Sequence, residues 1–335
     1  MTALATTRSM LKSAATRALT APLPYAALRR AYDPGRGVTI LVYHTLGADD
    51  EDMDAWTVLK ASDFRRQMDV LREHYDIVSL DEALQGAPSG GRPQVVLTFD
   101  DGEAGLHRHL LAIVEELRLP VTIYVATRQI ESGEPYWFDR VMNALQVAAP
   151  IALDLGLAPE HGPWHLDATT GAATWRTIHA VLELMKRQTA DAREQTLAAL
   201  ERATAGVAKR PVHPLAPLTH RELQEIAASP YVTIGAHSHC HSLLDCIPLA
   251  EAGTSIRRSK TSLEAWIGRP LSHFAYPNGN WNDAVAGLVA DAGFASATIL
   301  EHRLWGRTGS PHAIPRIPVG RYDSLERFKL RLLGF

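Results

Sequence analysis

The chain has 335 residues, with 46% apolar and 21% charged side chains and a formal net charge of -3. That is ordinary globular composition with ample material for a core, and it lacks the basic excess of a nucleic-acid binder. No run of about 18 apolar residues is available to cross a membrane, and two cysteines, Cys240 and Cys246, make no disulfide framework.

The first 36 residues carry Arg8, Lys12, Arg17, Arg29 and Arg30, and no acid before Asp33. They lack the continuous apolar core of a secretory signal. The expectation is a basic N-terminal helix, packed on the domain or lying on an anionic membrane surface, in a cytoplasmic protein that can sit peripherally at the inner membrane.

From residue 37 the pattern alternates. "GVTILVYHTLG" (37–47) reads as a buried strand, 61–75 as a helix capped by Ser62 or Asp63, and "DIVSL" (76–80) as a short strand. A helical turn (81–86) and a loop (87–93) lead to the buried strand "QVVLTFD" (94–100). A helix over 107–119 ends before Pro120, and 121–127 is a strand. Residues 136–212 break the rhythm. They read as a mainly helical insertion, with helical stretches at 136–148 and 174–206 around a strand-like, loop-rich piece. The alternation then returns. Helices are expected at 218–229, 249–268, 282–293 and 324–334, strands running into loops at 231–239 and 272–281, a strand at 295–300 and a last edge strand at 313–319. Strand–helix alternation of this kind predicts a parallel α/β sheet or barrel.

Three polar stretches fall at the C-terminal ends of predicted strands, where parallel α/β scaffolds put their sites. In "VVLTFDDG", Asp100 and Asp101 are adjacent, so they point to different sides of the chain and can take different tasks. "GAHSHCHSLL" holds His237, His239 and His241, with Cys240 among them. Histidines at i and i+4 converge on one metal where the backbone turns, although spacing alone does not fix which pair binds. "HFAYPNGNW" offers turn chemistry at Tyr276, Pro277 and Asn278, with backbone N–H groups for an oxyanion. Two histidines and a carboxylate make a catalytic zinc set with an open position for water. Asp101 then holds the divalent metal, with zinc the expected ion, and Asp100 serves as general base.

The order TFDDG, H-S-x-x-H, FAYPNG resembles the polysaccharide deacetylases of the NodB-homology type, carbohydrate esterase family four. "LVYH", "YWFDRV" and "IPRIPV" extend the likeness over residues 37–335. The resemblance implies a distorted (β/α)7-type barrel that removes N-acetyl groups from an amino-sugar glycan. It implies metal ligands Asp101, His237 and His241, base Asp100, and Ser238 beside the site. Many relatives carry an arginine in the third motif that tethers the base; Ala275 stands at that position here, and Asn278 at the neighbouring aromatic one. Arg316, at a strand end in the last segment, is the expected substitute. No clean match to the family's general-acid histidine exists. His312 is the first candidate and His302 the second, and His44 is expected to line the pocket floor. Tyr43, Trp137, Tyr276 and Trp281 are candidate stacking faces for a sugar. The alternatives are an amidase of the same metal chemistry on a non-sugar substrate, and a relative that only binds glycan.

Overall fold

Side-chain parity along the strands separates two apolar layers. Val38, Ile40, Val96, Tyr124, Ala275 and Ile314 pack on one another inside the sheet, over Leu80 and Ala83 of a short helix. The residues of opposite parity, among them Leu41, Leu97, Phe99, Ile123, Phe274 and Ile299, pack outward against Phe64, Met68, Leu223 and Ile256 of the surrounding helices. Burying each large side chain contributes about 1.5–3 kcal/mol, so a one-residue slip of any strand would exchange the two layers and is strongly disfavoured.

The computed structural model describes residues 15–31, 37–86, 91–148, 150–155, 164–166 and 171–334. Its strands in chain order are β1 (Val38–Tyr43), β2 (Thr45–Gly47), β3 (Val58–Lys60), β4 (Asp76–Ile77), β5 (Gln94–Phe99), β6 (Val121–Val125), β7 (Ile151–Leu153), β8 (Trp164–Leu166), β9 (Val232–Ala236), β10 (His273–Ala275), β11 (Ser296–Leu300) and β12 (Ile314–Pro318). β1, β5, β6, β9, β10, β11 and β12 form a closed ring of parallel strands, with β12 returning to β1. The fold is therefore a distorted (β/α)7 barrel, and all seven strands end on the same rim. β4 pairs only with the start of β5, below β6. The expected edge strand at 313–319 is not an edge: it lies between β11 and β1 and closes the ring.

Local chemistry explains other departures from the expectations. The run 37–47 splits at His44 into β1 and β2, which leaves the imidazole at the rim. The strand expected at 76–80 stops after two residues because Ser79 caps the helix Leu80–Leu84 in a reciprocal box with Glu82. Ser62 and Asp63 do not cap the helix Ala61–His74; Asp49 accepts the Ser62 N–H from a neighbouring loop at 2.9 Å. The helix expected at 107–119 starts as a π-turn, Leu106–Leu110. The helical stretch 174–206 is two helices, Gly171–Met185 and Ala190–Thr204, separated where Thr189 caps the second.

The insertion has its own core. Val141, Met142, Leu145, Ile178, Val181, Leu197 and Leu200 pack with Met53 and Ala55 of the β2–β3 connection and Val58 of β3. β7 and β8 form an antiparallel hairpin within it. At the opposite pole, where the strands start, the helix Pro22–Ala31 docks through Tyr25, whose hydroxyl meets that of Tyr75 at 3.1 Å. Arg29 donates to the His74 carbonyl beside it. Residues 1–14 and 32–36 of the basic N-terminal segment lie outside the described residues. No helix among the described residues is long and apolar enough to cross a membrane.

Candidate active site

The strand ends gather the predicted ligands. Asp101 follows β5, and His237 follows β9. A carboxylate oxygen of Asp101 and one ring nitrogen each of His237 and His241 all lie within 4.8 Å of one another. His237 Nε2 is 3.4 Å and His241 Nε2 3.2 Å from Asp101 Oδ1. The backbone bends hard to achieve this: Asp101, Ser238, His241 and Asn278 all have positive φ, at 74°, 64°, 55° and 55°. Only Arg118 and Arg307 join them among the described non-glycine residues. Strained backbone concentrated at one place marks a functional site.

Neighbouring groups hold each ligand. His237 Nδ1 lies 2.8 Å from the Ala275 carbonyl and donates to it, so Nε2 faces Asp101. Ser238, fully buried, accepts the His241 N–H at 3.0 Å and pins the turn between the two histidines. It therefore holds the turn and does not face a substrate. His239 and Cys240 point away, His239 to Thr127 and Cys240 to Ser242 and Ser255. Burial alone would raise the Asp101 carboxyl, but the hydrogen bonds from His237 and His241 outweigh it and hold the group well below the ordinary range. Burial pulls His237 down, and the charges of Asp100 and Asp101 more than reverse that.

Asp100 is set apart from this cluster. Arg316 grips it with two hydrogen bonds, Nη1 to Oδ1 at 2.6 Å and Nη2 to Oδ2 at 2.7 Å. Nη1 also donates to Thr98 Oγ1 at 3.1 Å, and the guanidinium lies over the Tyr124 ring. The arginine is entirely buried. Gly235 makes room for this stack, since a Cβ there would start 2.6 Å from the Tyr124 ring. Burial pushes the Asp100 carboxyl up, and Arg316 with His237 overcomes this and leaves it below the ordinary aspartate value. Arg316 comes from β12, two strands away from Ala275 on β10, so the guanidinium enters the barrel from a different side than the third motif would provide.

His44 stands at the rim with Nε2 4.0 Å from Asp101 Oδ2, its ring edge-on to Trp56. Burial lowers its pKa, partly offset by Asp101 and Asp100. His312 is not in the site. It precedes β12 at the strand-starting end of the barrel, where Nε2 bonds the Phe294 carbonyl at 2.9 Å. His302 lies after β11 with Nδ1 beside Arg331. Tyr276 is also no part of an oxyanion pocket. Its ring is buried, its hydroxyl donates to the His312 carbonyl, and its N–H is used by Thr298. Pro277 has no N–H. Asn278 alone of the three is exposed. Among the expected stacking faces, Tyr43 is buried and donates to Gln67. Trp137 packs on the insertion core beneath Arg193, and Trp281 lies against Tyr276.

The insertion contributes what motif spacing did not reveal. Tyr136 donates from its hydroxyl to the Asp101 carbonyl at 2.6 Å. Its ring stacks on Phe138, and both rings flank His241. Asp139 and Glu103 are buried next to Asp101 and interact with each other. Burial and the charges of Asp139 and Asp101 push Glu103 well above its ordinary value, and burial and Asp101 do the same to Asp139. The motif "YWFDRV" was the available signal, but nothing in its spacing shows which ring faces the histidine.

The barrel is similar to solved structures across most of its length. A Streptococcus pyogenes deacetylase, PplD, solved in complex with acetate, is 15% identical with a TM-score of 0.56, covering 87% of this chain and 96% of that one. IcaB from Ammonifex degensii is 16% identical with a TM-score of 0.52, covering 89% and 97%. A de-N-acetylase from Aggregatibacter actinomycetemcomitans is 15% identical with a TM-score of 0.54, covering 88% and 99%. No curated protein sequence matches the chain significantly. The sequence profile described as polysaccharide deacetylase matches residues 87–153 and 168–297, more than half of the chain and both ligand motifs. A barrel of this kind, with its acidic and histidine motifs inside the matched region, establishes that the chain belongs to the polysaccharide deacetylase family.

Proposed function

We propose that the protein is a metal-dependent hydrolase that removes N-acetyl groups from an amino-sugar glycan. The observation that carries this reading is the Asp101–His237–His241 cluster beside a separate, arginine-held carboxylate. The donor set fits zinc: two imidazoles and a carboxylate, with His237 oriented through its other nitrogen. When bound, a divalent ion supplies a Lewis acid for the acetyl carbonyl and lowers the pKa of a water molecule.

The chain's own groups do the rest. Asp100, kept ionised by Arg316, takes a proton on a carboxylate oxygen as water attacks the acetyl carbon. The bidentate grip fixes the carboxylate plane while leaving each oxygen a lone pair for that proton. Asn278 offers polar contact at the far rim. His44 takes the role first expected of His312, because it is the histidine outside the ligand set that comes within 4.0 Å of Asp101. The proton that Asp100 takes from the water passes to the departing amine, with His44 Nε2 as its carrier. Acetate release from N-acetylglucosamine oligomers tests the reading. Activity should vanish on chelation, return with zinc, and fall at least a thousandfold in Asp100→Asn. Turnover that survives both treatments would refute it.

The reading extends to a cytoplasmic, membrane-surface location, suited to a glycan made for the cell envelope. What supports it is the helix Pro22–Ala31, which buries Tyr25, leaves Leu23 84% exposed and carries Arg29 and Arg30 in its last turn.

A further inference from the structure

Half-exposed aromatic rings run outward from the rim at His44. Trp56, on the β2–β3 connection, meets the His44 ring edge-on at 5.8 Å. It is seated on bare backbone: a Cβ on Gly320 would lie 2.1 Å from Trp56 Cε2. The Trp56 carbonyl accepts the Arg321 N–H at 2.9 Å. The Arg321 guanidinium reaches back to Asp52 at 2.5 Å, so the loop after β12 is clamped beside Trp56. The next residue, Tyr322, is the one aromatic among the exposed large apolar side chains of the described residues, at 38% exposure. Its ring lies 6.3 Å from that of Trp175, on the insertion helix Gly171–Met185. Trp175 in turn meets His179, whose side chain is 58% exposed.

Core packing accounts for only part of this arrangement: Trp175 packs on the insertion core but is not enclosed by it. Tyr43, Tyr124, Tyr136 and Tyr276 are all buried to 2% exposure or less, whereas Trp56 and Trp175 are only partly buried and Tyr322 is exposed. A ring fixed by its neighbours and left half open offers an apolar face at little ordering cost. A pyranose presents C–H groups on its faces and hydroxyls at its edges. Its faces suit the rings, and its edges suit the exposed Asp52 carboxylate and the His179 nitrogens.

We propose that Trp56, Tyr322 and Trp175 form a track of sugar-binding subsites that leads from the catalytic rim onto the insertion. The track engages pyranose rings beyond the unit that loses its acetyl group. The inference rests on the deacetylase reading above and adds to it which residues of this chain hold the sugars beside the one that is deacetylated.

The test compares kcat/KM for acetate release from the N-acetylglucosamine dimer and hexamer, using the full zinc-loaded protein. The wild-type protein should favour the hexamer. Tyr322→Ala and Trp175→Ala should each shrink that preference about fivefold, mainly through KM, and Tyr322→Phe should retain it. Tyr322 is exposed, so its truncation leaves the core intact, and a melting curve on each variant checks folding. Equal loss on both substrates, or no preference in the wild-type protein, would overturn the track while leaving the deacetylase reading in place. Absence of acetate release from either sugar by the wild-type protein would overturn both.

Discussion

At the scale of single residues, the pair Arg316–Asp100 carries the largest consequence. The arginine is fully buried and both hydrogen bonds are short. Removing one partner of such a pair strands a charge, which typically costs about 3–5 kcal/mol. Arg316→Met should lose roughly that much stability in urea unfolding at pH 7. The sign with pH follows from the depressed Asp100 carboxyl. Its contribution is complete above the unfolded aspartate value of about 3.9 and fades as pH falls through the lower folded value. The difference between wild type and Arg316→Met should therefore shrink in acid. Freed from the guanidinium, Asp100 titrates higher, so the acid limb of the pH–rate profile should move upward. An unmoved limb would mean the arginine does not tune the base.

At the scale of elements, the turn between β9 and the following helix is the device that aims two ligands at one point. His237 leaves the strand on the inward side, and His241 returns four residues later through left-handed backbone at Ser238 and at itself. Ser238 is the fastening of that turn, since its hydroxyl accepts the His241 N–H. Ser238→Ala should weaken zinc binding about 10–100-fold, measured by competition with a chromogenic chelator, with little change in thermal stability of the metal-free protein. Unchanged zinc affinity would show that the turn holds without the hydroxyl.

At the scale of the whole molecule, the docked helix Pro22–Ala31 and the catalytic rim occupy opposite ends of the barrel. Tyr25 rests on Tyr75, where the helix Ala61–His74 runs out, at the end where the strands begin. A protein held on anionic lipid by that helix would present its rim away from the lipid. Co-sedimentation with phosphatidylserine vesicles should weaken in Leu23→Glu and in high salt. Equal sedimentation of variant and wild type would rule out this attachment.

The sequence was most readable where chemistry is local. Adjacent carboxylates after a buried run, and histidines four apart in a turn, need only a few residues to define them, and the alternation of strands and helices fixed the class of scaffold. Arg316 was reachable because it lies in the last strand segment, although it sits in the middle of β12 and not at its end. His312 misled because it sits close in sequence to that same strand but at its starting end, and parallel strands put beginning and end far apart. Trp56, Tyr136, Tyr322 and Trp175 were not legible as site residues. Whether an aromatic ring lies in a core or at a rim depends on which distant segments the topology brings together.

The base and its arginine come from β5 and from β12, the strand that shuts the ring against β1. A chain that has folded every earlier unit but has not yet inserted its last strand holds the ligand cluster without a tuned base. Fraying of that seam would take Arg316 away from Asp100. The final clasp of the barrel thus doubles as a check on completeness, and hydrolytic competence arrives only with the finished architecture.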